Sequence, residues 1–290
     1  MRKIVDYQKI IMTGMIVSSA LMAVHLTGCQ TVPVNDLLNT SGYQTSTQPS
    51  NNRNVDKQEI ARARTALAAQ YIRKNELDMA QRQLEKALAA NSRYAPAYDM
   101  MGVLLQQEGS RLNLEKADSY FKKAIELDAS FDQARNNYGV YLSQMQRYND
   151  AIVHLEFAGA ALGYDGRVSA LENLGRTYLQ LNDRPSATKA FLRALDGNSS
   201  SLVAHIELVD LLLEQQRITQ AQRLYDETLL LVRGQGISPR LLMQGIKLAA
   251  AQNDIDMRQQ LAQQLLSAYP LSAEAKQLKT WLNNPEATWK

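Results

Sequence analysis

The sequence predicts an all-α protein, a solenoid of about six helix-turn-helix repeats closed by a C-terminal helix. From about residue 59 the chain is rich in Ala, Leu, Gln and Tyr, and its apolar residues recur at helical spacing. Proline is absent from nearly every segment interior, so long stretches are free to form helices. A pattern of small and large apolar residues returns at intervals of 34 to 37 residues, which indicates a stack of similar units.

The second helix of each predicted repeat carries a fixed order of residue sizes. A small residue comes first, a large one follows four positions later on the same face, and a third, mostly small residue follows three positions after that. This pattern predicts close contact between the two helices of a repeat and filling of the space toward the next repeat. The three sets are Ala80, Ala117, Ala151, Ala187 and Ala221; Leu84, Phe121, Leu155, Phe191 and Tyr225; and Ala87, Ala124, Ala158, Ala194 and Thr228.

The first helix of the predicted repeats has its own small position. Ala68, Gly102, Gly139 and Gly175 occupy it in the first four repeats. Glycine inside a helix costs about 1 kcal/mol relative to alanine. Three glycines at one repeat position therefore predict a packing role, because the two helices of a repeat approach closely.

Three segments, ALAAQYIRKNELDMAQRQLEKAL, NNYGVYLSQMQRYNDAIVHLEFA and NLGRTYLQLNDRPSATKAFLRAL, resemble the tetratricopeptide repeat (TPR), a helix-turn-helix of 34 residues. The resemblance implies a right-handed TPR solenoid over residues 59–272. A capping helix and tail are predicted at 273–290, with Leu278, Trp281 and Leu282 in one apolar stripe. The predicted repeats are 61–94, 95–131, 132–167, 168–201, 202–235 and a degenerate 239–272, with a short insertion from Gly109 to Asn113 in the second.

The N-terminal segment has the features of a secretory signal peptide over residues 1–28. A basic start precedes a mostly apolar run that is too short and too rich in small residues for a transmembrane helix. The order Leu26-Thr27-Gly28-Cys29 resembles the bacterial lipobox, which implies that Cys29 becomes a lipidated N-terminus. By the same resemblance, Gln30 directs the protein to the periplasmic face of a Gram-negative outer membrane. Residues 29–58 are predicted to be this anchor and a flexible polar tether.

The charge of the chain argues against nucleic-acid binding. The full sequence has 32 basic and 29 acidic residues, and removal of residues 1–28 takes away three basic residues and one acidic residue. The remaining formal charge of +1 gives no basic surplus to neutralise phosphates. Cys29 is the only cysteine, so neither an intramolecular disulfide nor a cysteine-ligated metal site is possible.

The residue patterns do not predict an enzyme. His154 and His205 each have a glutamate two positions later, Glu156 and Glu207, and two positions on a helix place side chains on different faces rather than around one metal ion. The sequence has no GxGxxG, GxxxxGK[ST] or GxSxG motif. We therefore expect no catalytic residue, no cofactor and no small-molecule substrate.

The first helices of the first three repeats are the predicted partner-binding groove. In the TPR family the second, fifth, ninth, twelfth and thirteenth repeat positions face the concave side. Chaperone-binding TPR domains grip a terminal carboxylate with Lys and Asn at the fifth and ninth positions, where this chain has Thr65 and Ala69, so an acidic peptide ligand is disfavoured. The corresponding residues are Arg62, Thr65, Ala69, Ile72 and Arg73; Asp99, Val103, Gln106 and Gln107; and Asn136, Val140, Ser143 and Gln144.

A closer resemblance covers nearly the whole chain. The lipobox, the polar tether, six TPR units and the stretches NNYGVYLSQMQRYNDA, RVSALENLGRTYLQL and LLMQGIKLAAAQND resemble the type IV pilus pilotins, the PilF/PilW lipoproteins. The resemblance implies a non-catalytic assembly factor that binds the pilus secretin subunit. Through its lipid, such a protein helps the secretin to reach and multimerise in the outer membrane.

Other functions remain open at the level of sequence. One alternative is a TPR lipoprotein of another envelope pathway, either a subunit of general outer-membrane barrel assembly or a scaffold for cell-wall enzymes. Another is a lipid-anchored enzyme acting on the cell wall, which would need a pair of carboxylates in a deep cleft. No sequence feature supports such a cleft.

Overall fold

The computed structural model describes residues 52–283 and confirms an all-α TPR solenoid. Within that range the helices form six antiparallel pairs followed by one further helix. We call the odd-numbered helices α1 to α11 the first helices and their even-numbered partners the second helices. The helices are α1 Asn52–Arg73, α2 Leu77–Ala90, α3 Ala95–Glu108, α4 Arg111–Leu127, α5 Asp132–Gln144, α6 Tyr148–Ala160, α7 Arg167–Gln180, α8 Arg184–Gly197, α9 Leu202–Glu214, α10 Ile218–Leu231, α11 Pro239–Ala251, α12 Ile255–Ala268 and α13 Ala273–Asn283.

Two boundaries differ from the sequence-based prediction. Helix α1 begins at Asn52, so the last residues of the predicted tether are helical. No glycine or proline lies between Asn52 and Arg73, and extending a helix adds a hydrogen bond without a new nucleation cost. The insertion predicted from Gly109 to Asn113 also lies only partly in the connecting loop, because α4 begins at Arg111. Only Gly109 and Ser110 connect the helices, because the Ser110 side chain accepts the Asn113 N–H and starts α4 at Arg111.

The turn inside each of five helix pairs contains one residue in the left-handed conformation. These residues have φ between 56° and 61°, and the following residue continues into the second helix. Asn, which tolerates this conformation better than most residues, occupies three of the five turns. These turns therefore reverse the chain within three residues. The five residues are Asn75, Gln146, Asn182, Gln216 and Asn253.

The structure explains the repeated glycines of the first helices. A Cβ atom on Gly102 would lie 2.7 Å from the Phe121 ring, and one on Gly175 would lie 2.6 Å from the Phe191 ring. A Cβ atom on Gly139 would lie 2.6 Å from a side-chain carbon of Leu155. These separations are far below van der Waals contact, so only glycine allows the two helices of these pairs to approach so closely.

The apolar core runs along the solenoid between the helix layers. One cluster extends from α1 into α9, a second joins α9, α10 and α11, and a third joins α11, α12 and α13. In the first cluster, Phe121 of α4 stacks on Tyr138 of α5 with ring centroids 5.7 Å apart, and Tyr141 lies 5.5 Å from the same ring. The large residue of a second helix therefore joins its own pair to the next pair, as the sequence pattern predicts.

Helix α13 covers the end of the sixth pair. Ala275 and Leu278 are fully buried against α11 and α12, and Trp281 packs partly buried on the same cluster. Leu282 differs from the prediction, because about half of its surface is exposed and it lies off the buried face. The tail beyond Asn283 lies outside the described residues.

We predict that Gly175→Ala destabilises the fold although alanine is the better helix former. The new methyl group would overlap the fully buried Phe191 ring, and overpacking of this kind costs about 1 to 3 kcal/mol, more than the gain of about 1 kcal/mol in helix propensity. Urea denaturation would show a lower midpoint with an unchanged slope. Gly163→Ala is the matched control, because no atom lies within 4 Å of its new Cβ position. Equal midpoints for the two variants would contradict the close-packing explanation.

Candidate functional site

An open groove of about 340 Å³ lies between the first helices α3 and α5. We call it the α3–α5 groove. Valine side chains from both helices form its apolar part, and carboxamide side chains surround them. None of its lining residues is charged. The lining residues are Val103, Gln106, Gln107, Asn137, Val140 and Gln144.

Most of this lining was predicted from the repeat positions. Val103, Gln106, Gln107, Val140 and Gln144 all come from the predicted set and meet in one groove. The structure also adds Asn137, which the repeat positions did not select.

The neighbouring predicted residue of the third repeat, Asn136, points toward the next pair. Its side-chain oxygen accepts a hydrogen bond of 3.2 Å from Asn173 of α7. The only signal in the sequence for Asn137 was the tandem Asn136-Asn137. The sequence does not show which of the two lines the groove, because that depends on the partner of each amide in the neighbouring repeats.

Three predicted groove residues are buried, which corrects their predicted role as direct partner contacts. Asp99 is fully buried, and Thr65 and Ile72 are each less than a tenth exposed. The Thr65 hydroxyl donates to the Ala61 carbonyl within its own helix at 2.8 Å. These side chains pack in the interior beneath the first helices. The fifth repeat position of α1 and α3, which Thr65 and Asp99 occupy, and the twelfth position of α1, which Ile72 occupies, therefore face the core.

The remaining predicted residues lie outside the groove lining. Arg62 and Arg73 of α1 are exposed, and Ala69 is half-buried between them. Ser143 of α5 is half-buried, and its hydroxyl shares a hydrogen bond of 2.8 Å with the Thr177 hydroxyl of α7. Cys29, the predicted lipidation site, lies outside the described residues.

Carboxamide hydrogen bonds join consecutive first helices across the groove. Gln106 Nε2 donates to Gln144 Oε1 at 2.7 Å, which links α3 to α5. Gln107 Nε2 donates to Asn75 Oδ1 at 2.9 Å, which links α3 to the turn after α1. The orientation of the Gln107 amide is fixed, because its Nε2 also donates at 3.3 Å to the main-chain carbonyl of Ile72, which can only accept.

Asn137 is fixed by the buried carboxylate below the groove. Its Nδ2 lies 3.1 and 3.0 Å from the two carboxylate oxygens of Asp99. Burial raises the pKa of Asp99 to about 7, and the hydrogen bond from Asn137 offsets only part of this effect. Tyr164 lies in the same region, and burial, followed by the charges of Asp99 and Asp132, raises the pKa of its hydroxyl to about 12.

A separate charged network joins the first helices of the last three pairs. Arg240 of α11 binds Glu207 of α9 through two hydrogen bonds of 3.0 and 2.6 Å, and it also contacts Asp210. Arg176 of α7 lies 3.5 Å from Glu207 on the other side. Burial alone would raise the pKa of Glu207, but its hydrogen bonds and the charges of Arg240 and Arg176 lower it below its usual value. The sequence did not reveal this network, because each arginine lies 30 to 33 residues from the carboxylates that it contacts.

His154 and His205 make structural contacts. His205 Nδ1 donates to the Ser201 carbonyl at 2.8 Å inside α9, and His154 packs on the Tyr138 ring with centroids 4.7 Å apart. Between Asn52 and Asn283, no group of three His, Cys, Asp or Glu side chains is arranged to hold a metal ion. In the same range no helix is both long and apolar enough to cross a bilayer.

Comparison with known proteins gives the class of the chain. The tetratricopeptide repeat family matches residues 95–131, which include α3 and α4 and carry half of the groove. The fold and the site thus define a TPR protein, whose stacked first helices provide a surface for protein partners.

The comparisons also identify the family within that class. The chain is 30% identical over 259 residues to the type IV pilus assembly protein PilF of Pseudomonas aeruginosa, which covers 89% of this chain and 95% of that protein. It therefore belongs to the PilF family of type IV pilus assembly proteins. A solved structure of Pseudomonas aeruginosa PilF aligns with a TM-score of 0.70 at 29% identity, over 78% of this chain and 99% of the other.

More distant structures share the fold. PilW, a widely conserved type IV pilus biogenesis factor, aligns with a TM-score of 0.66 at 20% identity over 76% of this chain and 98% of the other. YrrB, a TPR protein with an unusual peptide-binding site, aligns with a TM-score of 0.54 at 20% identity over 68% and 97%. Both support the solenoid architecture.

We predict that Asp99→Asn stabilises the protein at alkaline pH. The raised pKa means that the folded state holds the Asp99 proton more tightly than the unfolded state. Ionisation of this carboxyl therefore reduces the free energy of unfolding progressively as pH rises from about 4 to about 7, and the reduction is complete above about pH 7. Asparagine keeps the acceptor for Asn137 and removes the buried charge. The gain at about pH 8 is at most about 4 kcal/mol and shrinks toward about pH 4.

Thermal unfolding across this pH range would measure the effect. Asp165→Asn is the control, because Asp165 is exposed in the loop before α7 and its substitution removes a solvated charge. If the melting temperatures of wild type and Asp99→Asn change with pH in parallel, ionisation of the buried Asp99 carboxyl does not destabilise the protein, and the prediction is wrong.

Proposed function

We propose that the protein is the pilotin of a type IV pilus, an outer-membrane lipoprotein that binds the pilus secretin subunit and promotes its localisation and multimerisation. Its membership of the PilF family supports the role in pilus assembly. The observation that carries the binding proposal is the α3–α5 groove, where Val103 and Val140 form an uncharged apolar surface open to a partner. No chemistry is required for this role.

The physical basis is capture at a surface. An unassembled outer-membrane subunit has apolar surface and unpaired strand edges, both of which favour aggregation. A groove that covers part of this surface, attached to the bilayer by a lipid on Cys29, keeps the subunit soluble and raises its local concentration where it inserts. Several acyl chains on one N-terminus give much stronger attachment than a single chain.

We predict that Val103→Asp combined with Val140→Asp abolishes the secretin multimer without unfolding the solenoid. Both valines are only half-buried, so the new carboxylates reach water, but they place two negative charges in the apolar part of the groove. Unheated gels and immunoblots of the outer membrane would follow the multimer in a deletion strain complemented with each variant. Circular dichroism of the purified variant would verify that it is folded.

Val153→Asp combined with Leu192→Asp is the matched control. These residues lie on the second helices α6 and α8, and half or more of each side chain is exposed, so the substitutions add the same charge away from the groove. The control should retain normal multimers. Normal multimers with the folded groove variant would refute a role of the groove in secretin multimerisation.

We predict that Cys29→Ser leaves the multimer reduced or in the wrong membrane. Serine has no thiol to receive the lipid, so the protein would be released from the bilayer while its groove stays intact. Membrane fractionation of the variant strain, with the wild-type gene as control, measures both the protein and the secretin. Retention of the variant in the outer membrane would contradict lipid anchoring.

The deletion strain also separates this function from the other envelope pathways. Loss of pili and of the secretin multimer with normal porin levels agrees with a dedicated pilotin. A parallel loss of porins would instead assign the protein to general barrel assembly, and an unchanged multimer would remove the secretin from its partners.

A further inference from the structure

The polar atoms of the α3–α5 groove that remain free are mostly acceptors. Asn137 gives its nitrogen to Asp99, and Gln107 gives its nitrogen to Asn75 and to the Ile72 carbonyl at 3.3 Å. Within residues 52–283, the oxygens Asn137 Oδ1 and Gln107 Oε1 accept no hydrogen bond. One lies on each wall of the groove, since Gln107 belongs to α3 and Asn137 to α5.

The pair Gln106 and Gln144 adds both acceptors and donors. Gln106 Nε2 donates one of its two N–H groups to Gln144, which leaves Gln106 Oε1 free to accept and leaves the other N–H of Gln106 and both N–H groups of Gln144 free to donate. Three acceptor oxygens and two amide nitrogens therefore surround the two valines. A ligand that fills the groove must supply N–H or O–H donors to these oxygens, because covering a polar atom without a partner costs about 1 to 3 kcal/mol.

The groove also selects against charge. Its lining is neutral, and the carboxylate that contacts this lining through Asn137, that of Asp99, is fully buried. A carboxylate of a ligand would face the free oxygens and be repelled. A lysine or arginine side chain would lose hydration on the valine surface without gaining an ionic partner.

The main chain of an extended peptide can supply these donors, whereas the main chain of a helix cannot. In a helix every N–H beyond the first four is bonded internally and is not available to the groove. In an extended segment the main-chain N–H and C=O groups are free and side chains alternate between faces, so one side chain can rest on the valines while its neighbours point away.

We propose that the α3–α5 groove binds an extended, uncharged segment of the secretin subunit through its main-chain N–H groups, with a small apolar side chain resting on Val103 and Val140. This inference depends on the secretin being the partner, as proposed above. Asp99 acts as a positioning residue, because its carboxylate holds the Asn137 amide with the oxygen free to accept. The bound segment would have its strand-edge N–H groups satisfied until it pairs with another strand.

Overlapping short peptides that cover the secretin sequence of the same organism are the probes. Binding of each peptide to the full-length protein is measured by fluorescence anisotropy. We expect the bound peptides to be uncharged over their central residues, and circular dichroism to show no gain of helix on binding. A preference for charged segments, or helix formation on binding, would overturn the proposal.

Single ester replacements along the best peptide test main-chain recognition directly. Each ester removes one N–H donor and leaves the side chains unchanged. We expect about tenfold weaker binding at one or two positions, spaced two residues apart where there are two, and little effect between them. Uniform tolerance of ester replacement would show that the main chain is not recognised.

A double-mutant cycle identifies the acceptor in the groove. Asn137→Leu and Gln107→Met should each weaken the unmodified peptide about tenfold, but should add little to the loss caused by the ester that removes their own N–H partner. Gln81→Met, on the exposed face of α2 where Gln81 bonds only to Glu85, is the control and should leave binding unchanged. If the losses of binding free energy from the substitution and from the ester are fully additive for both groove variants, these carboxamides do not accept hydrogen bonds from the peptide main chain.

The result is separable from the function proposed above. If no secretin peptide binds although the Val103→Asp, Val140→Asp variant loses the multimer, the extended-segment inference fails while the pilotin function stands. If the variant keeps the multimer and a secretin peptide still binds in the groove as expected, the groove assignment stands and its role in multimerisation fails.

Discussion

The structure depends on how closely the two helices of each repeat approach one another. Gly102, Gly139 and Gly175 leave room for a phenylalanine or leucine of the partner helix, at separations that a Cβ atom would prevent. The same phenylalanine or leucine then reaches the next repeat, as Phe121 does when it stacks on Tyr138. Close approach within a pair therefore sets the distance between pairs, and this distance brings the first helices side by side to form the groove.

Two kinds of polar interaction occupy the surface that these helices create. Near α3 and α5 the contacts between helices are carboxamide bonds without net charge, and one of them rests on the buried carboxylate of Asp99. Between α7 and α11 the contacts are ion pairs centred on Glu207 and Arg240. The first region has free polar atoms around an apolar surface, whereas the second uses its charges to bind its own helices, so the candidate site lies in the first.

The sequence was sufficient for features that repeat and insufficient for features that occur once. The glycines and the large apolar residues recur at one repeat position, so their packing role could be predicted. The burial of Asp99 and the choice of Asn137 over Asn136 could not, because they depend on a bond between residues 38 positions apart in neighbouring repeats. The start of α1 at Asn52 was missed for a simpler reason. Asn52, Asn54 and Asp56 have low helix propensity, but this segment extends a helix that the following repeat already stabilises.

The division of the apolar core has a mechanical consequence. The packed interior is continuous from α1 into α9, but it separates into smaller clusters at α9 and again at α11. The bonds from Arg240 to Glu207 and Asp210 cross this region and link its two first helices by charge. Ionic attraction between partly exposed groups weakens in salt, whereas apolar packing does not. Salt therefore weakens one part of the contact between α9 and α11, whereas the apolar packing beneath the groove does not depend on it.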